Sequence, residues 1–152
     1  MLKNPVIFCQ NIQLFQLTKS LLINLAVLAM LCLLVGTAHA QKKSLKLYFT
    51  HTKERAEITF KRNGRFDDKG LKKLNNFLRD WRQNEPTKMD PRLFDLLWEV
   101  YRQSGSNKYI HVVSAYRSPK TNELLRKTRG GQAKKSQHMI GRAIDFYIPG
   151  QK

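Results

Sequence analysis

Apolar and polar residues alternate over Leu45, Leu47 and Phe49, a period of two that predicts a strand. Ala56 to Phe60 reads as a second short strand, and Asn63-Gly64 marks a turn after it. The period then lengthens. Asp67 or Asp68 caps a helix in which Leu71, Leu74, Leu78 and Trp81 recur at helical spacing and face a core, and Glu85-Pro86 breaks it. Asp90-Pro91 starts a second helix, with Asp at the N-cap and Pro in the first turn. Its predicted buried face is Leu93, Leu96, Leu97, Val100 and Tyr101, and Gly105 closes it. Tyr109 to Val113 is a β-branched strand, and Ser118-Pro119 opens a third helix through about Lys127. Arg129 to Gln137 is basic and glycine-bearing, hence loop; Ala143 to Ile148 is a last strand, ended by Pro149-Gly150. The pattern contains no repeat. It predicts one small α+β domain, a short antiparallel sheet packed with about three helices.

The first forty residues follow a different rule. Lys3 and Lys19 are the only charges before residue 42. An apolar run from Leu21 to Gly36, broken only by Asn24, leads to Thr37-Ala38-His39-Ala40, an A-x-A site. Basic region, apolar core and small-residue site in that order predict a secretory signal peptide over residues 1–40, leaving a domain at 41–152. The run is short for a membrane-spanning helix of about 20 residues, so no span is expected after cleavage. Cys9 and Cys32 leave with the leader, and the exported domain then uses neither disulfides nor thiol chemistry.

Charge narrows the partners. The chain carries 28 Lys and Arg against 11 Asp and Glu, a formal +17. Such an excess points to an anionic partner. Outside the cytoplasm that excludes nucleic acid and favours lipid headgroups or the carboxylates and phosphates of the cell envelope.

Candidate chemistry lies between Ser114 and Asp145. In Ser136-Gln137-His138-Met139-Ile140-Gly141-Arg142-Ala143-Ile144-Asp145, His138 falls on a loop and Asp145 in a strand. A turn at Gly141 brings imidazole and carboxylate together, and both are normal zinc ligands. Ala143, two residues before Asp145 on the same strand face, leaves room beside a metal. A charge within an apolar strand is costly unless it is paired or bound to metal. The same residues also fit a packed or surface histidine and an aspartate paired with one of the many arginines.

This segment resembles the S-x-H-x-x-G-x-A-x-D motif of the zinc D-Ala-D-Ala peptidases and murein endopeptidases. Ser114-Ala115-Tyr116-Arg117-Ser118-Pro119, with Thr121-Asn122 and Leu124-Leu125-Arg126, is similar to a segment of the murein endopeptidase K branch. So, in order, are His51-Thr52, Asn63-Gly64, Leu78-Arg79-Asp80-Trp81-Arg82 and Met89-Asp90-Pro91-Arg92-Leu93. The resemblance covers nearly all of residues 44–150 and implies a hedgehog/D-Ala-D-Ala-peptidase-like fold. It further implies Zn²⁺ held by His138 and Asp145, Arg117 facing the scissile carbonyl and its developing charge, and a substrate surface of Tyr116, Arg117, Ser118 and Ser136. Ser136 also shapes the metal loop. The implied substrate is peptidoglycan, cut at a peptide cross-link in the periplasm or cell envelope.

The family draws its third ligand, a histidine, and a general-base carboxylate from a strand well beyond the aspartate. In this sequence Asp145 lies 7 residues before the last residue, Lys152. The expectation is therefore a site lacking its third ligand, with the C-terminal part of the domain missing, weak zinc binding, little hydrolysis and reduced stability. His51 and His111 are the available substitutes. Two alternatives stand beside the enzyme: a non-catalytic peptidoglycan-binding module that keeps the groove, and a cationic envelope protein that binds by charge alone.

Overall fold

A computed structural model describes residues 41–151, together with Lys19, Leu21 and Asn24. The signal-peptide reading, with both cysteines, lies almost wholly outside the described residues. The chain divides at His39/Ala40, and the fold described here is that of the second unit. No helix among the described residues is long and apolar enough to cross a membrane.

Five strands and three α-helices form an α+β domain. The strands are β1 (Lys42–Phe49), β2 (Arg55–Arg62), β3 (Arg65–Phe66), β4 (Ile110–Ser114) and β5 (Asp145–Tyr147); the helices are α1 (Asp68–Phe77), α2 (Pro91–Gln103) and α3 (Pro119–Thr128). A 3-10 turn spans Gln137–Ile140. The sheet order is β3-β2-β1-β4-β5. Neighbours run antiparallel except β1 and β4, which are parallel, so the chain crosses over between them through α1 and α2.

Alternation decides the core. Leu45, Leu47 and Phe49 of β1, Ile58 and Phe60 of β2, and Ile110 and Val112 of β4 are buried. Leu74 and Phe77 of α1 and Phe94 and Leu97 of α2 join them in one cluster. Asp95 of α2 binds Lys43 at 2.8 Å and Lys61 at 2.5 Å, fastening that helix to β1 and β2. Asp67, Asp90 and Ser118 cap the three helices as expected, each side chain accepting a backbone N–H of the first turn.

The helical faces differ from the prediction in two places. Helix α1 ends at Phe77 rather than continuing to Glu85-Pro86, because the chain turns into a small loop closed by paired backbone hydrogen bonds between Asp80 and Glu85. Trp81 therefore lies off the helix and outside the core, stacked on His51 with ring centroids 4.8 Å apart. On α2 the buried anchor is Phe94, while Leu96 and Val100 face solvent. Five apolar residues in two and a half helical turns allow more than one stripe, and the sheet selects the stripe containing the larger ring. The last strand is also shorter than predicted, three residues, and Asp145 begins it. Ala143 precedes the strand and shares no strand face with Asp145.

Candidate metal pair and arginine-lined cavity

The segment after β4 is held on both sides. Tyr116 N–H donates to the Leu78 carbonyl at 3.1 Å, and Arg117 N–H donates to the His138 carbonyl at 3.2 Å. Asp80, buried in the loop after α1, accepts from the Ser118 hydroxyl at 2.6 Å and the Ser118 N–H at 3.0 Å. Its other oxygen accepts from Arg82 N–H at 3.0 Å. Burial alone would raise the Asp80 carboxyl, but these hydrogen bonds outweigh it and hold it below the usual carboxylate range. One buried carboxylate thus ties the loop after α1 to the start of α3.

The opposite wall is the 3-10 turn. Ser136 caps it, accepting from His138 N–H at 3.4 Å. Gly141 ends it in the left-handed region, φ 66°, and its carbonyl accepts from Asp90 N–H at 3.0 Å. A Cβ at Gly141 would stand 2.9 Å from Met89 Cα, so both the conformation and the space require glycine. The reversal returns the chain to the sheet, where Asp145 pairs with Ser114 across a register shift after Val112. Such irregularities re-aim side chains beside functional sites.

The outcome is a convergence. His138 Nε2 lies 3.4 Å from Asp145 Oδ2. His138 Nδ1 lies 2.8 Å from the Ala115 carbonyl oxygen, which can only accept, so Nδ1 carries the proton and Nε2 faces the carboxylate. A carbonyl behind a histidine ring in this way is the usual support of a metal ligand. Two donors at zinc-bond lengths and a tetrahedral angle stand about 3.3 Å apart, so the pair fits two corners of a zinc site. The Asp145 side chain is 59% exposed and His138 13%. Asp145 is thus at the edge of the sheet, and the burial argument for its role does not hold; its position beside Nε2 replaces that argument.

No group of three or more His, Cys, Asp and Glu side chains able to hold a metal occurs among the described residues. The two substitute histidines go elsewhere. His111 packs edge-on against Tyr48 and tilted against Tyr147, and it shares a hydrogen bond of 2.9 Å with the Tyr147 hydroxyl. His51 stacks on Trp81. Burial, and then the charges of Arg82, Lys53 and Arg129, hold its imidazole below the ordinary histidine value.

Beside the pair lies a cavity of about 160 Å³. Arg117, Arg82 and Arg129 line it together with the His51–Trp81 stack and Tyr116. The Arg117 guanidinium reaches only neutral acceptors, Asn122 Oδ1 at 3.3 Å and Ser114 Oγ at 3.4 Å. Arg82 lies over the Trp81 ring, 4.2 Å from its centroid. Its pKa is lowered, first by burial and then by the charges of Arg129 and Arg117, against an opposing pull from Asp80. Tyr116 is buried, with its hydroxyl donating to Glu85 at 3.3 Å. Ser118 is buried too, and its hydroxyl is engaged with Asp80 and the cap of α3. The sequence reading did not single out Asp80, Arg82 and Arg129. Asp80 and Arg82 stand in a segment that carried the resemblance, but nothing in one dimension shows that they meet the Arg117 loop.

A family model described as peptidoglycan L,D-endopeptidase MepK matches residues 37–152. The peptidoglycan L,D-endopeptidase MepK of Escherichia coli strain K12 is 41% identical over 111 residues, covering 70% of this chain and 58% of the relative. The probable peptidoglycan L,D-endopeptidase MepK of Haemophilus influenzae is 41% identical over 101 residues, covering 66% and 54%. The chain therefore spans a little over half the length of the curated relatives it matches. No solved structure matches it. With the matched region containing the whole described domain, the His138–Asp145 pair and Arg117, the chain belongs to the peptidoglycan L,D-endopeptidase MepK family.

Proposed function

We propose that this chain is an exported, zinc-dependent endopeptidase domain acting on peptide cross-links of peptidoglycan in the periplasm. The observation that carries the reading is the approach of His138 Nε2 and Asp145 Oδ2 to 3.4 Å, with the far side of the imidazole held by the Ala115 carbonyl. His138 and Asp145 are the residues that would hold Zn²⁺. When bound, the ion supplies Lewis acidity, polarising a carbonyl and acidifying water.

The remaining tasks fall to the chain's own groups. The Arg117 guanidinium meets no carboxylate among the described residues, and it stabilises negative charge as it develops on the scissile carbonyl oxygen. Loss of one such donor typically lowers the rate about 10²–10³-fold. Ser136 holds the turn that presents His138. Tyr116 forms a wall of the substrate cavity, and Ser118 with Asp80 positions the backbone from which Arg117 projects.

Zinc titration of the full chain against a chromophoric chelator tests the proposal. The described residues supply two donors where a catalytic zinc site takes three, so the expected affinity is weak, and cross-linked muropeptides are turned over slowly. His138→Ala and Asp145→Ala should each weaken zinc binding at least tenfold. Unchanged zinc affinity in the double variant overturns the reading. A non-catalytic peptidoglycan-binding module is the second reading, favoured by the two-donor count and by a cavity whose lining needs no metal. Muropeptide binding that persists in chelator, with no turnover at saturating zinc, selects it.

A further inference from the structure

The domain has far more basic than acidic side chains, yet most of its arginines are matched. Arg62, Arg79, Arg92, Arg102, Arg126 and Arg142 each meet a carboxylate within 4.0 Å. Among the described residues, Arg55, Arg65, Arg82, Arg117 and Arg129 meet none, and the last three line the same cavity. Asp80 is the only carboxylate in that lining, and its oxygens are occupied by Ser118 and the Arg82 backbone. Three guanidiniums sharing one enclosed wall repel each other. An arrangement of this kind is stabilised when an anion occupies the space between them.

The cavity also has a shape. At about 160 Å³ it has room for about five waters at roughly 30 Å³ each, which is the size of a carboxylate with its neighbouring carbons. Phe49, Val113, Leu125 and the Trp81 ring supply apolar wall beside the charges. The Arg82–Trp81–His51 stack fixes one side as a rigid plate. Planar guanidiniums recognise carboxylates with paired hydrogen bonds. Arg117 belongs to this wall and, through its backbone N–H, is joined to the His138 turn.

We propose that the cavity between Arg82, Arg117 and Arg129 is a carboxylate subsite, so that the preferred substrate presents a free carboxylate on the residue next to the bond that is cut. The inference rests on the endopeptidase reading for its placement beside a scissile bond. Arg82 and Arg129 are the specificity residues, and the His51–Trp81 stack holds Arg82 in place.

Calorimetric binding tests it without turnover. The probe is a peptidoglycan stem tetrapeptide with free carboxylates, and the control is the same peptide with those carboxylates converted to amides. Both are titrated into the full chain in the presence of chelator. The carboxylate form should bind at least tenfold more tightly than the amide form, and Arg129→Gln and Arg82→Gln should each remove most of that difference. Arg129 meets no carboxylate among the described residues, so R129Q should melt no lower than the wild type and separates lost binding from lost folding. Equal binding of the two forms, no binding of the carboxylate form at millimolar concentration, or a preference that survives R129Q overturns the subsite. Inorganic phosphate displacing the peptide at equal concentration shows a site for small anions in general and likewise overturns it. Because zinc is absent, the subsite can stand while zinc binding fails at His138, and the reverse outcome is equally visible.

Discussion

Asp80→Asn is the sharpest test of how the site is held. The carboxylate is 1% exposed and accepts three hydrogen bonds, from the Ser118 hydroxyl, the Ser118 N–H and the Arg82 N–H. The amide keeps one accepting oxygen and turns an NH₂ group toward a donor on the other side. At least one charge-assisted hydrogen bond is lost, each contributing about 1.5–3 kcal/mol, and a buried donor is left unpaired at about 1–3 kcal/mol. The expected cost is about 2.5–6 kcal/mol, out of the 5–15 kcal/mol typical of a whole domain. A loss of 2 kcal/mol corresponds to a fall in Tm of roughly 8–16 °C for a domain near 100 residues. Urea denaturation of wild type, D80N, Ser118→Ala and the double variant measures it. The two single effects should be strongly non-additive, with a coupling above about 1 kcal/mol. The pH dependence has a definite sign. The folded carboxyl lies below its ordinary value, so its contribution is complete above the unfolded pKa near 4 and is lost as pH falls through the folded pKa. A D80N protein within 0.5 kcal/mol of wild type, or additive single effects, would refute the reasoning.

Other outcomes follow from the same structure. Gly141→Ala forces an alanine into the left-handed region, at about 1–2 kcal/mol, and into Met89 Cα at 2.9 Å; the melting temperature should fall and zinc affinity should fall with it, because the turn carries His138. Phe94→Ala should cost about 3–5 kcal/mol in urea denaturation, whereas Leu96→Ala, on the exposed side of the same helix, should stay within about 0.5 kcal/mol. Asp90, hydrogen-bonded by the Arg92 side chain and N–H, is held at about 2. Its share of stability should be intact above pH 4 and disappear as pH falls through about 2, and NMR titration of the carboxyl carbon reads this directly.

Much of the local structure was legible along the chain. The period-two run at Leu45–Phe49, the Asp90-Pro91 and Ser118-Pro119 helix starts and the turn at Gly141 depend on backbone chemistry within a few residues, and all are present as read. The spacing of His138 and Asp145 around that turn was likewise enough to bring the two together. Elsewhere local pattern was insufficient. Leu93, Leu96, Leu97, Val100 and Tyr101 form a plausible face in isolation, but the sheet takes Phe94 and leaves Leu96 and Val100 to solvent. The stripe ending in Trp81 failed because hydrogen bonds between Asp80 and Glu85 end the helix early.

The rest was settled by distance in space. Parallel pairing of β1 with β4 joins segments some sixty residues apart, and no local period encodes which strands become neighbours. The reach of Asp80 to Ser118 and the meeting of Arg82, Arg117 and Arg129 around one cavity are of the same kind. Hydrophobic periodicity is a property of neighbouring residues, so it specifies elements and their caps. Which charges find partners, and which are left facing an enclosed space, depends on how those elements pack, because Coulomb and hydrogen-bond energies act over a few ångströms between groups that the chain itself holds far apart.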